Sequence, residues 1–221
     1  KISERKVDLA KTEASIDCGC KTGCPKCATS RQFIDKMAEA CIPTMYWQLR
    51  MKDFVGAKNV KAETENYIAR LEEHYKKGAN VCFSGTLGTG KTYSLTNILK
   101  CALAKNFTAY YVSLPELVGL LTSPATRHSA CDFLSGVDFL AIDEVDSRHI
   151  AQSDAAQDFY GASFERVLRT RLQNLLPTLM ATNNASLDEA FNRQFKKTVE
   201  SLSATCITIA ALGKDHRLTN A

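Results

Sequence analysis

The segment Gly85-Thr86-Leu87-Gly88-Thr89-Gly90-Lys91-Thr92 meets the GxxxxGK[ST] pattern at every fixed position. It follows the apolar run Val81-Cys82-Phe83 and opens a stretch carrying Leu95, Ile98 and Leu99 at helical spacing. A strand, a glycine-rich loop and a helix in that order leave few folds open, because a strand that feeds a helix is the start of a parallel crossover. The glycines let successive backbone N–H groups curl around phosphate oxygens, and the helix N-terminus adds a positive dipole. Lys91 then reaches the β and γ phosphates of ATP, and Thr92 offers its hydroxyl to Mg2+. Gly85, Thr86, Gly88, Thr89, Gly90 and Tyr93 complete the expected nucleotide-binding set.

Beyond this loop the chain alternates apolar runs with helical patterns, the signature of a mostly parallel α/β sheet covered on both faces. Strands are expected over 80–84, 107–113, 137–142, 178–182 and 205–210, and helices over 90–105, 115–121, 158–175 and 187–201. A further helix over 61–76 places Tyr67, Ile68, Leu71 and Tyr75 on one face and ends near Gly78. Between Gln32 and Lys58, Pro43 interrupts any single helix, so this stretch is expected to be a connector packed on the main domain.

The apolar run 137–142 leads directly into Asp143-Glu144, the second half of a phosphate site. Asp143 is expected to hold the Mg2+ shell, and Glu144 to orient or deprotonate the attacking water. The run Thr178-Leu-Met-Ala leads into Thr182-Asn183, which sets an amide at the carboxyl end of another strand, where ligands of open α/β sheets gather. Asn183 is therefore a candidate for positioning that water. The bland alternative is that Asn183-Asn184 makes a turn before Ser186.

A chain of 221 residues, 45% hydrophobic, supports one full core plus an appendage. The expected division is an N-terminal segment over 1–40, a connector and helix over 41–78, and the ATPase core over 79–221. A net charge of +4 permits contact with nucleic acid without requiring it. No apolar run reaches membrane-spanning length, and Lys1, Glu4, Arg5 and Lys6 do not resemble a secretion signal, so a cytoplasmic protein with no membrane partner is expected.

Four of the nine cysteines, Cys18, Cys20, Cys24 and Cys27, fall within ten residues. Gly19, Gly23 and Pro25 supply turns that let the thiolates converge on one ion. Zn2+ in a structural site is the expected occupant, with an iron–sulfur cluster as the main metal alternative and free or disulfide-paired thiols as the bland one. Cys41, Cys82, Cys101, Cys131 and Cys206 sit among apolar residues and are expected in the core.

Over about residues 41 to 217 the chain resembles the AAA+ helicase-loader ATPases of the DnaC and DnaI type and their IstB transposition relatives. The resemblance rests on the two phosphate-site motifs, on Ile42-Pro43-x-x-Tyr46-Trp47 leading to Asp53-Phe54, on Arg171 with Pro177-Thr178 and Thr182-Asn183, and on Gly213-Lys-Asp-His-Arg217. It implies a five-stranded parallel AAA+ sheet, with Asn183 as sensor I and Arg217 as sensor II. It also implies ATP-driven assembly into a homo-oligomer that delivers a replicative DnaB-type helicase to single-stranded DNA. Two alternatives stay open: an IstB-like ATPase that binds DNA and recruits a transposase, and a non-hydrolysing, ATP-switched adaptor.

One position departs from the family. Ser201 stands where the resemblance implies a trans-acting arginine finger, leaving Arg193, Lys196 and Lys197 as substitutes or as a solvated face. A loop over 148–160 combines Arg148 and His149 with Phe159 and Tyr160, a set suited to stacking on single-stranded bases.

Overall fold

The computed structural model describes residues 25–146, 154–191, 196–211, 213, 215 and 216, with backbone alone for 25–30, 154–160, 196 and 197. Five parallel strands form one sheet in the order β2-β3-β4-β1-β5. They are β1 Asn80–Gly85, β2 Ala109–Ser113, β3 Phe139–Asp143, β4 Thr178–Thr182 and β5 Cys206–Ala211. Each was expected from its apolar run. β4 keeps the expected bounds, and the others begin or end within two residues of theirs.

Both faces of the sheet are covered over β1 to β4, where the period-two alternation of each strand divides the core accordingly, while Thr208 and Ala210 of the edge strand β5 are exposed. Val81 and Phe83 of β1, Ala141 of β3 and Leu179 of β4 pack with Leu95, Ile98 and Leu99 on one face. Cys82, Leu140, Ile142 and Met180 pack with Leu117, Leu134, Phe164 and Val167 on the other.

The helices are α1 Pro25–Glu39, α2 Lys58–Ala69, α3 Leu71–Lys77, α4 Lys91–Ala104, α5 Leu114–Thr122, α6 Arg127–Gly136, α7 Asp154–Gln173, α8 Leu187–Ala190 and α9 Lys196–Ala204. Where one helix was expected over 61–76 there are two, because Arg70 leaves helical geometry (φ −112, ψ 26). Its apolar face survives: Tyr67 and Leu71 are buried, and Gly78 caps α3 at φ 61. The helix expected over 187–201 is likewise two, α8 and α9. α1 and α6 were not expected.

α1 packs on α4 and buries Met37 within the core face that holds Val81 and Phe83. After it, Cys41 takes φ 53 and the connector runs through two 3₁₀ turns, Thr44–Tyr46 and Met51–Asp53. Trp47 ties this turn region to itself through a hydrogen bond from Nε1 to Ile42 O of 2.7 Å. Lys100 of α4 holds it from below, donating to Tyr46 O at 2.7 Å and also to Leu49 O. Burial lowers the Lys100 pKa to about 8.

The five scattered cysteines pack as expected. Cys82 and Cys131 are buried, Cys41, Cys101 and Cys206 half-buried, and all five are free thiols. Burial pushes the Cys206 thiol up to about 12, which favours its neutral form. Cys18, Cys20 and Cys24 lie outside the described residues, as does the Cys27 side chain. Among the described residues no cluster of three or more metal-ligating side chains occurs.

Candidate functional site

β1, β3 and β4 end on the same side of the sheet, and their carboxyl ends open into a cavity of about 590 Å³. In a parallel sheet this is where loops from several strands converge. The loop after β1 supplies Gly88, Thr89 and Gly90 to the cavity wall, and the first turn of α4 supplies Lys91, Thr92 and Tyr93. β3 supplies Asp143 and Glu144, and β4 supplies Asn183. Residues from three separate parts of the sequence thus face one space.

The loop's conformation depends on its glycines. Gly85, Gly88 and Gly90 all have positive φ (130, 70 and 94), a region that suits glycine. Gly90 shows the second reason for glycine: a Cβ there would collide with the Phe54 ring of the connector. Thr89 is fully buried and its Oγ1 donates to Thr86 O at 2.9 Å, fixing the turn from within. Lys91 is also buried, and its Nζ donates to Gly85 O at 2.9 Å and Thr86 O at 2.6 Å. A cation held against the rim of a glycine-lined cradle, at the N-terminus of a helix of 14 residues, suits a polyphosphate.

Asp143 and Glu144 are adjacent in sequence but face different surroundings. Glu144 has φ 54, an uncommon value for a residue with a side chain, and this turns the chain as it leaves β3. Asp143 is consequently 5% exposed, while the Glu144 side chain is exposed to the cavity. Asp143 Oδ1 accepts from Glu144 N at 2.8 Å, and Oδ2 accepts from Tyr111 Oη at 2.8 Å. Burial first, and then Asp143, pushes the Tyr111 phenol well above its ordinary pKa. Thr92 and Asp143 bring hydroxyl and carboxylate oxygens to the same cavity, a donor set that fits Mg2+ better than a softer metal.

Asn183 is exposed at the end of β4. The turn after it is held by its neighbour, since Asn184 N donates to Thr182 Oγ1 at 3.0 Å. This leaves Asn183, rather than Asn184, directed to the cavity. Arg217 lies outside the described residues. The segment before it reaches the loop, with His216 N donating to Gly88 O at 3.2 Å and Thr86 Oγ1 donating to Gly213 O at 3.1 Å.

Sequence reasoning missed the opposite wall. Met45, Tyr46, Leu49 and Val55 of the connector and Leu87 of the loop line the same cavity. Met45, Val55 and Leu87 are 71%, 48% and 55% exposed, and they make up three of the five large apolar side chains most open to solvent among the described residues. Apolar groups gathered at a polar site suit the flat ring of a base. Leu87 within a phosphate loop was the available signal. Tyr93 joins the two walls, with its ring edge-on to Phe54 at 5.1 Å and its hydroxyl donating to Arg50 O at 2.8 Å.

Ser201 is exposed on α9. Arg193, Arg148 and His149 lie outside the described residues, as do the side chains of Lys196, Lys197, Phe159 and Tyr160. No helix among the described residues is long and apolar enough to cross a membrane.

Residues 81–202 match the sequence profile described as the ATPase family associated with various cellular activities (AAA). The fold is similar to that of DnaI, at TM-score 0.61 and 21% identity over 79% of this chain and 94% of that one. It is also similar to the DnaC helicase loader, at TM-score 0.61 and 17% identity over 77% of this chain and 100% of that one. A third likeness is to the replication initiator DnaA bound to AMPPCP and single-stranded DNA, at TM-score 0.61 and 17% identity over 79% of this chain and 52% of that one. No curated protein sequence matches the chain.

Proposed function

Because the chain belongs to the AAA family of ATPases, we propose that it binds and hydrolyses ATP and works in DNA replication as a helicase loader. The observation that carries the first half is the convergence of Lys91, Thr92, Asp143, Glu144 and Asn183 on one cavity at the strand ends. The likeness to DnaI, DnaC and DnaA supports the second half.

In this reading the loop glycines and α4 hold the triphosphate, and Lys91 shifts from its loop carbonyls onto the β and γ phosphates. The apolar wall of Met45, Tyr46, Val55 and Leu87 takes the base. Mg2+, held by Thr92 and Asp143, would neutralise charge between the β and γ phosphates. Asn183 orients a water in line with the γ phosphorus. Glu144 accepts the proton of that water as its oxygen attacks, and ADP departs. Arg217 completes the γ-phosphate contacts from the C-terminal segment that already rests on Gly88.

The proposed partners are a replicative DnaB-type helicase, single-stranded DNA and further copies of this chain. Turnover of ATP by the purified protein is expected to rise when single-stranded DNA and the helicase are added together. Unchanged turnover with tight ATP binding would favour a second reading. The exposed Ser201 at the arginine-finger position supports that one: an adaptor whose shape is switched by ATP with little hydrolysis.

The Cys18, Cys20, Cys24 and Cys27 cluster is proposed to hold one structural zinc ion. Replacing Cys24 and Cys27 by serine is expected to release it and to spare ATP binding, as read by metal analysis and nucleotide titration. Loss of ATP affinity in that variant would make the cluster an integral part of the core.

A further inference from the structure

β2 is an edge strand, and nothing in its sequence marks it as part of a phosphate site. Its register places Tyr111 opposite Ala141 and Ser113 opposite Asp143, so Tyr111 and Asp143 are diagonal neighbours on one face of the β2–β3 pair. Both are buried, at 8% and 5% exposure, and the Tyr111 hydroxyl donates to Asp143 Oδ2 at 2.8 Å. The other carboxylate oxygen accepts from the backbone of Glu144. Each oxygen therefore has a fixed donor, and rotation of the group pulls it away from both.

Tyr111 is itself held in place. Its backbone N–H, on the open edge of the sheet, donates to Ala40 O at 2.8 Å, at the end of α1. The anchor comes from a different element than the one carrying the carboxylate. The ring sits in the core face formed with Trp47, Leu95 and Phe139.

We propose that Tyr111 is the positioning residue for Asp143, holding its carboxylate so that the remaining lone pairs face a divalent cation beside Thr92. The inference rests on the reading of Asp143 as the Mg2+ ligand. Hydrogen-bond partners behind a metal ligand commonly fix its orientation, and losing one typically costs 10–100-fold in metal affinity. With phenylalanine at 111, Asp143 keeps its Glu144 N–H but regains rotation, and Oδ2 loses its donor in a buried setting.

The test uses the whole chain and a fluorescent ATP analogue, titrated with Mg2+ and separately in EDTA, with thermal melting alongside. Tyr111→Phe is expected to raise the half-saturating Mg2+ concentration about tenfold while affinity in EDTA stays within about twofold of wild type. Tyr110→Phe removes the same atom one residue away, on the face belonging to the other core cluster, and is expected to keep the wild-type Mg2+ midpoint. A wild-type midpoint in Tyr111→Phe, with Asp143→Asn clearly shifted, overturns the positioning role alone. An unshifted Asp143→Asn overturns the assignment of Asp143 and the inference with it. Equal losses in Mg2+ and in EDTA would make Tyr111 a packing residue only.

Discussion

Arg171→Met is expected to lower the free energy of unfolding by about 3–5 kcal/mol, as several buried carbonyls lose donors at about 1–3 kcal/mol each, a large part of the roughly 5–15 kcal/mol that holds a domain of this kind together. Arg171 sits in the last turn of α7 and is fully buried. Its guanidinium donates to four backbone carbonyls: Leu134 O at 2.8 Å, Val137 O at 2.6 Å, Asp138 O at 3.2 Å and Pro177 O at 2.6 Å. Nε adds a bond to Thr178 Oγ1 at 3.0 Å. These acceptors come from the end of α6 and from the entries of β3 and β4, so one side chain joins three elements at the end of the sheet remote from the cavity. Burial lowers the guanidinium pKa to about 9, and Asp138 opposes that shift. Methionine fills similar space but leaves the carbonyls without those donors, and lysine lacks the planar fork to reach them all.

Chemical denaturation checks the expectation, and Arg169→Ala is the control. Arg169 lies two residues earlier on α7, where its side chain is 55% exposed and pairs with Glu165 at 2.8 Å. Exposed pairs of this kind contribute about 0–1 kcal/mol. A loss below about 1 kcal/mol in Arg171→Met would mean that the carbonyls find other partners and that the arginine is not what joins α6, β3 and β4.

The contrast between these two arginines also marks what a sequence can and cannot reveal. The strands were legible because a parallel strand buried on both faces is apolar at most of its positions, and short apolar runs such as Leu179-Met180-Ala181 have few other uses. The phosphate loop and the acids after β3 were legible because their chemistry requires particular residues at fixed spacing. Arg171 was visible only as part of a family spacing, since a basic residue in the last turn of a helix reads equally well as a solvent-facing one. α6 was hidden because only Ala130, Cys131 and Leu134 of its ten residues are buried, too few to set a period. Tyr111 and the apolar cavity wall were hidden for a third reason. Leu87 apart, they come from a strand and a connector whose own sequences carry no mark of the site, and only the register of β2 against β3 and the path of the connector bring them there.

The largest change in chemistry is expected from Glu144. Glu144→Gln should reduce ATP turnover by about 10²–10⁴, the usual contribution of a positioned general base, while ATP affinity stays close to wild type. The geometry separates the two effects. Asp143 is buried and held by two donors, whereas the Glu144 side chain, at the turn made by its positive φ, is exposed in the cavity and accepts the proton of water in the proposed mechanism. Glutamine keeps the shape and the backbone N–H that Asp143 accepts from, but it cannot take a proton. Lys91→Ala should behave differently, losing affinity and turnover together, because in the proposed mechanism its cation serves the bound phosphates as well as the transition state. Measuring ATP binding and single-turnover hydrolysis for both variants separates the roles. Glu144→Gln turnover within about threefold of wild type, far short of that expectation, would remove Glu144 from the chemistry. That result would leave Asn183 to orient the water without a base, and the protein would act chiefly as an ATP-dependent switch.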